Sequence, residues 1–123
     1  MASIKTGAVV VSWGAAIPGR EAGMLRVLKQ ALGYVEQLRG EGRIEDSQLY
    51  VSKTGPNRDT LMLTGQLDRL AALLAEDDFE DLLQDGMLVV QDVQVALWAG
   101  GAPRAIAEGI DVHAGKMRDH GLL

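Results

Sequence analysis

The chain has 123 residues, 47% of them apolar and 24% charged, a balance that fits one globular domain and argues against disorder. Its formal net charge of −5, without any Lys/Arg-rich patch, argues against nucleic acid as a partner, because phosphate neutralisation needs a basic surface. Cysteine is absent, which removes disulfides, thiolate chemistry and Cys-based zinc or iron–sulfur sites.

Gly7 to Trp13 is rich in β-branched residues and predicts the first strand. The stretch "VVVSWGAAIPGRE" then places Gly14 and Gly19 as the first half of a phosphate-binding loop. That signature continues with Lys, for phosphate charge, and Ser/Thr, for Mg²⁺. Arg20 and Glu21 stand there instead, and Glu21 would repel phosphate, so the loop is read as a strand-to-helix turn. Next, Met24, Leu25, Leu28, Leu32, Val35 and Leu38 recur at spacings of three and four, the apolar face of a helix that Gly40 and Gly42 stop.

Ser47 to Lys53 alternates as a second strand, "TGPNRD" is a turn cluster, and Thr60 to Gly65 is a third strand. A short turn between two strands makes an antiparallel hairpin, where a doubly wound nucleotide-binding fold would carry a helix. "QLDRLAALLAEDDFEDLLQDG" is helical, with a break or fresh start at "EDD", since carboxylates favour helix N-termini. Met87 to Trp98 reads as the fourth and longest strand. Residues 103–123 form a C-terminal tail beyond a domain at 1–102, polar and either weakly helical or mobile.

The order strand, helix, strand, strand, helix, strand is the βαββαβ, ferredoxin-like arrangement, an α+β fold with two helices on one face of a four-stranded antiparallel sheet. Alternation then assigns the faces. Val9, Val11, Trp13, Leu49, Val51, Leu61, Leu63, Val93, Val95 and Leu97 should meet the helices. The open face holds Val10, Ser12, Gln48, Tyr50, Ser52, Thr60, Met62, Thr64, Asp92, Gln94, Ala96 and Trp98. This mixture is too polar for a second core and too apolar for a solvent face, and it suits a surface closed by another subunit around a semi-polar cavity.

The strand order, "PGREAGMLRVLKQAL" after the first strand and "FEDLLQDGMLVVQDVQVALW" at the end resemble the dimeric α+β-barrel superfamily over residues 7–100. The opening motif is similar to that of antibiotic-biosynthesis-monooxygenase-like members, and "AEDDFEDLL" to the YciI-like branch. The resemblance implies a homodimer in which two open sheet faces pack into a barrel. It also implies functions ranging from cofactor-free oxygenation and isomerisation to haem chemistry. Haem-binding members use a histidine of the main domain, and the YciI-like branch a His–Asp pair, but this chain has no histidine before His113. Those catalytic assignments therefore do not carry over, and no cofactor is expected.

The candidate ligand-binding residues are Ser12, Tyr50, Ser52, Met62, Thr64, Gln94 and Trp98 on the open face, with Arg20 or Arg58 at the mouth. The competing reading is dimer packing with satisfied hydroxyls. Arg58 beside Asp59 also reads as turn solvation. "EDDFED" matches no calcium loop, and Asp111, His113, Asp119 and His120 have no evident scaffold, so no metal site is assigned. No Ser/His/Asp or Cys/His nucleophile set can be assembled in the main domain. No apolar run approaches the roughly 20 residues that span a bilayer, and no signal peptide is evident, which leads to the expectation of a cytoplasmic protein. The function expected is that of a dimer binding a small ligand on the open face. The alternative is a cofactor-independent monooxygenase or isomerase acting on a small organic substrate, aromatic compounds included.

Overall fold

The structure, a computed structural model, describes residues 4–123, with the backbone alone at Ala105. The first three residues of the N-terminal segment scanned for targeting signals lie outside the described residues. The chain forms β1 (Thr6–Trp13), α1 (Glu21–Gly40), β2 (Asp46–Tyr50), β3 (Asp59–Gln66), α2 (Leu67–Leu74), α3 (Asp77–Met87), β4 (Gln94–Ala99) and α4 (Pro103–Asp119).

Local chemistry sets these limits. Glu21 lies in the first turn of α1 and Arg39 in its last, each opposite in sign to its end of the helix dipole. Just beyond, Gly42 turns the chain at φ 72°, a conformation that costs glycine little. The predicted break at "EDD" is real: α2 stops at Leu74, and Asp77, Asp78 and Glu80 occupy the first turn of α3. Pro103 opens α4, where its fixed φ suits the first turn and its missing N–H costs nothing. The tail, left open between helix and mobile segment, is thus a 17-residue helix. Its Gly109 sits so close to Ile4 that a Cβ there would overlap the isoleucine side chain.

The four strands form one antiparallel sheet in the order β2-β3-β1-β4, the ferredoxin-like topology. The core lies on one side of it. Val9, Val11, Leu61 and Leu63 of the central strands pack with Val35 and Leu38 of α1, Leu70 and Leu73 of α2, and Phe79 of α3. Trp13 and Leu49 pack against this core half-buried, as their alternation predicts. At Gly7 the backbone passes so near Leu67 and the Trp98 carbonyl that any side chain would collide with both.

The turn between β1 and α1 is held by its neighbour rather than free for a ligand. Gly14 N–H donates to Gln91 O at 2.8 Å, Ile17 N–H to Val89 O at 2.9 Å, and Gln91 N–H to Ala15 O at 3.0 Å. Amides committed to residues 89–91 are not available to cradle phosphate.

Several expectations need correction. The fourth strand does not start at Met87: α3 runs through that residue, and residues 88–93 form a loop bridged to Ala16 through Val90. In the run "MLVV", Val90 is buried and Val89 packs on Gly23, whereas Met87 and Leu88 are exposed; the run does not alternate in a strand. Consequently β4 has six residues and is shorter than β1 and β3, which have eight each. The second strand ends at Tyr50, leaving Val51 69% exposed instead of facing helices. Val95 and Leu97 lie on the helix side by register, yet both remain partly exposed because β4 is an edge strand. On α1, Leu25 and Leu32 point outward, and the inward stripe runs through Met24, Leu28, Ala31, Val35 and Leu38.

Candidate functional site

Strand register fixes the second face of the sheet. Ala8 pairs with Thr64 and Trp98, Val10 with Met62 and Ala96, and Ser12 with Thr60 and Gln94. Gln48 and Tyr50 continue the same face across β2 through their pairing with Met62 and Thr60. Directly paired residues in adjacent strands share a face, so the alternation read from the sequence holds across all four strands. At the centre of this face Ala8 and Val10 are buried, though Val10 still borders the space described below. Its flanks are open: Trp98 is 55% exposed and Tyr50 56%.

At the end of the face where β1 finishes lies a concavity of about 220 Å³. Val10, Thr60 and Ala96 line it together with Trp98, and Ser12, Gln94 and Arg58 supply its polar side. An apolar cavity of about 150 Å³ is enough for benzene, so this space admits one ring with a substituent.

Arg58 organises the polar end. It lies one residue before β3, and its side chain reaches across to β1 and to the loop preceding β4. Nε and Nη2 donate to Ser12 Oγ at 3.3 and 2.9 Å. Nη2 also donates to the Asp92 carbonyl at 2.9 Å, and Nη1 to Asp92 Oδ2 at 2.6 Å. Gln94 Nε2 donates to both Asp92 carboxylate oxygens, at 3.3 and 3.4 Å. Asp92 is the one non-glycine with positive φ among the described residues, at 53°. Left-handed backbone is tolerated by Asp better than by most residues, and here the bonds to Arg58 hold it.

Four candidates named from the sequence, Ser12, Gln94, Trp98 and Arg58, line the concavity. Tyr50, Met62 and Thr64 share its face but lie outside its lining, towards β2. There the Tyr50 hydroxyl donates to Gln48 Oε1 at 3.1 Å and the Thr64 hydroxyl to the Asp46 carbonyl at 3.3 Å. Ser52 and Arg20 are not brought to it. Because β2 stops at Tyr50, Ser52 belongs to the following loop, where its hydroxyl donates to Pro56 O at 2.8 Å and its amide to Asp59 Oδ1 at 3.0 Å. Arg20 Nη1 donates to the Leu88 carbonyl at 2.5 Å, tying the start of α1 to the loop after α3. Arg58, set down from the sequence mainly as turn solvation, is instead central. The signal was its parity with Thr60, Met62 and Thr64, extended one step beyond the strand.

A second space of about 80 Å³ lies between α1, α3 and the core face of the sheet, lined by residues such as Val11, Leu28, Phe79 and Leu83. It is about half the size of an apolar cavity that admits benzene, roughly 150 Å³. Tyr34 borders it, with a hydroxyl that is shut off from solvent and lacks a hydrogen-bond partner. Burial pushes the Tyr34 phenol above its ordinary pKa, and the Glu76 carboxylate adds to this while Arg43 opposes it. Glu76 itself is ion-paired with Arg43, whose pKa the Glu76 hydrogen bond raises. Among the described residues, no three His, Asp or Glu side chains gather into a metal-ligating group. No helix among them is long and apolar enough to cross a membrane.

No protein-family model matches the sequence, and no curated protein matches it significantly. Solved structures do. One is a dimeric protein of unknown function and ferredoxin-like fold from Bacteroides fragilis NCTC 9343, at TM-score 0.58 and 9% identity, covering 77% of this chain and 96% of that one. Another is SnoaB, a cofactor-independent oxygenase from Streptomyces nogalater, at TM-score 0.56 and 12% identity, covering 80% of this chain and 98% of that one. At such identities the likeness is one of fold. The ferredoxin-like α+β architecture read from the sequence is borne out by it.

Proposed function

We propose that this chain is a homodimeric α+β-barrel protein that binds a small organic ligand in the concavity of its open sheet face. The observation that carries the reading is the composition of that concavity. Trp98, Val10 and Ala96 offer a surface for an apolar ring, and Ser12, Arg58 and Gln94 converge at one end with fixed donors. Helices α1, α2 and α3 cover one face of the sheet, and the exposed apolar groups of the other face gain from burial elsewhere. A second copy of the chain is the occupant that the exposed Trp98 and Tyr50 rings suit. The Bacteroides fragilis protein of like fold is described as dimeric, which supports this arrangement.

A second reading is a cofactor-independent oxygenase or isomerase working in the same concavity. Its support is the fold shared with SnoaB, described as a cofactor-independent oxygenase. In that reading Trp98 and Gln94 orient the substrate, Arg58 stabilises negative charge developing on an oxygen, and Tyr50 lines the approach. The test is a crystal structure of protein purified from its own host. Ligand density against Val10 and Trp98 is the expected result. A concavity filled by side chains of the partner copy would overturn both readings.

A further inference from the structure

Two of the side chains lining the concavity, Arg58 and Gln94, already hold a carboxylate, and that carboxylate belongs to the protein. We infer that Asp92 is a built-in stand-in for an acidic ligand: it occupies the Arg58 guanidinium until the carboxylate of a small ring-bearing acid takes its place. The inference rests on the reading of the concavity as a ligand site and goes further by naming the ligand's charge and its internal competitor.

Three observations lead there. First, the Arg58 fork is aimed without help from the Asp92 carboxylate. Ser12 Oγ holds Nε and Nη2, and the Asp92 backbone carbonyl holds Nη2 again. Removing the carboxylate would leave Nη1 unpaired but the plane of the guanidinium in place. Second, the Asp92 carboxylate accepts from Arg58 Nη1 and from Gln94 Nε2, both of which belong to residues lining the concavity. The same two donors can serve an incoming carboxylate. Third, the pair is asymmetric in exposure. The Arg58 side chain is 27% exposed and the Asp92 side chain 64%. An acid held mostly in water gives up an ion pair at little cost, whereas the sheltered guanidinium keeps needing an anion.

The remainder of the concavity describes the rest of the ligand. Val10 and Ala96 form an apolar floor beside the Trp98 ring, which suits a flat apolar body. Among the described residues, the one acidic side chain bonded to Arg58 is Asp92 itself, and Asp59 next to it is turned to the Ser52 amide.

The test uses benzoate and benzamide, which differ in the charge of the head group, titrated into the ¹⁵N-labelled full chain. Binding is read from the Ser12 amide, the Gln94 side-chain amide and the Trp98 indole. The expected result is that benzoate binds about fivefold or more tighter than benzamide, as a charge-assisted fork contact implies. Asp92→Asn, which removes the competing charge and keeps the shape, should tighten benzoate about threefold or more and benzamide by clearly less. Arg58→Gln should abolish the preference. Equal binding of the two probes, or a weaker benzoate complex in Asp92→Asn, would overturn the inference while sparing the ligand site. If neither probe shifts these three signals, the ligand site itself falls and takes the inference with it.

Discussion

Replacing Tyr34 by Phe should make the protein more stable. The hydroxyl is shut off from solvent without a hydrogen-bond partner, and an unsatisfied buried hydroxyl costs about 1–3 kcal/mol. Removing it sacrifices little packing, because the neighbouring space of about 80 Å³ is already unfilled. A gain of about 1–2 kcal/mol is expected, which for a domain of this size raises the melting temperature by roughly 3–8 °C. The effect has a pH signature. Burial first, and Glu76 second, hold the phenol above the usual tyrosine value of 10.0 in the folded state. As pH rises past that value the unfolded chain loses its proton first, so the folded state binds more protons and stability falls with pH. The phenylalanine ring has no such proton, so the advantage of Tyr34→Phe should widen between about pH 9 and about pH 11. Urea unfolding followed by circular dichroism at both ends of that range measures it. A variant destabilised by about 1 kcal/mol at neutral pH, with no widening, would mean that the hydroxyl has a partner and would refute the reasoning.

Trp98→Asp should weaken self-association. Roughly half of a ring of about 250 Å² left exposed, at about 25 cal/mol per Å², corresponds to about 3 kcal/mol per ring, or more than a hundredfold in Kd. Sedimentation equilibrium reads the change, and an unaltered Kd would place the interface elsewhere. Two glycines should respond in opposite ways. Gly86→Ala in α3 meets nothing within 4 Å and should stabilise by about 0.5–1 kcal/mol. Gly7→Ala drives a Cβ into the Trp98 carbonyl and the Leu67 side chain and should unfold or severely destabilise the chain, as thermal melts would report.

The face assignment was legible because the strand period is two and the sequence keeps it wherever the strands are real. Val9, Val11, Leu61 and Leu63 fall on the core side, and Val10, Ser12, Thr60 and Met62 on the other. The helix break at "EDD" was legible from charge alone. The ends of the second and fourth strands were not. Val51 and the "MLVV" run carry strand-forming side chains, but Val51 is exposed in a loop, and of the run only Val90 is buried while Met87 ends α3. Propensity cannot distinguish these fates, since both depend on what packs against them. Ser52 was misplaced for that reason. Arg58 was undervalued because its partners, Ser12 and Asp92, lie 46 and 34 residues away in sequence. The orphaned Tyr34 hydroxyl has no local signature at all, because it depends on how α1 meets α3.

Light scattering after size exclusion, on the unmodified chain at micromolar concentration, tests the central claim most directly. If the open sheet face is closed by a second copy around the Trp98 concavity, the mass will be twice the 13.2 kDa of one chain. A clean 13.2 kDa monomer at that concentration would contradict the barrel.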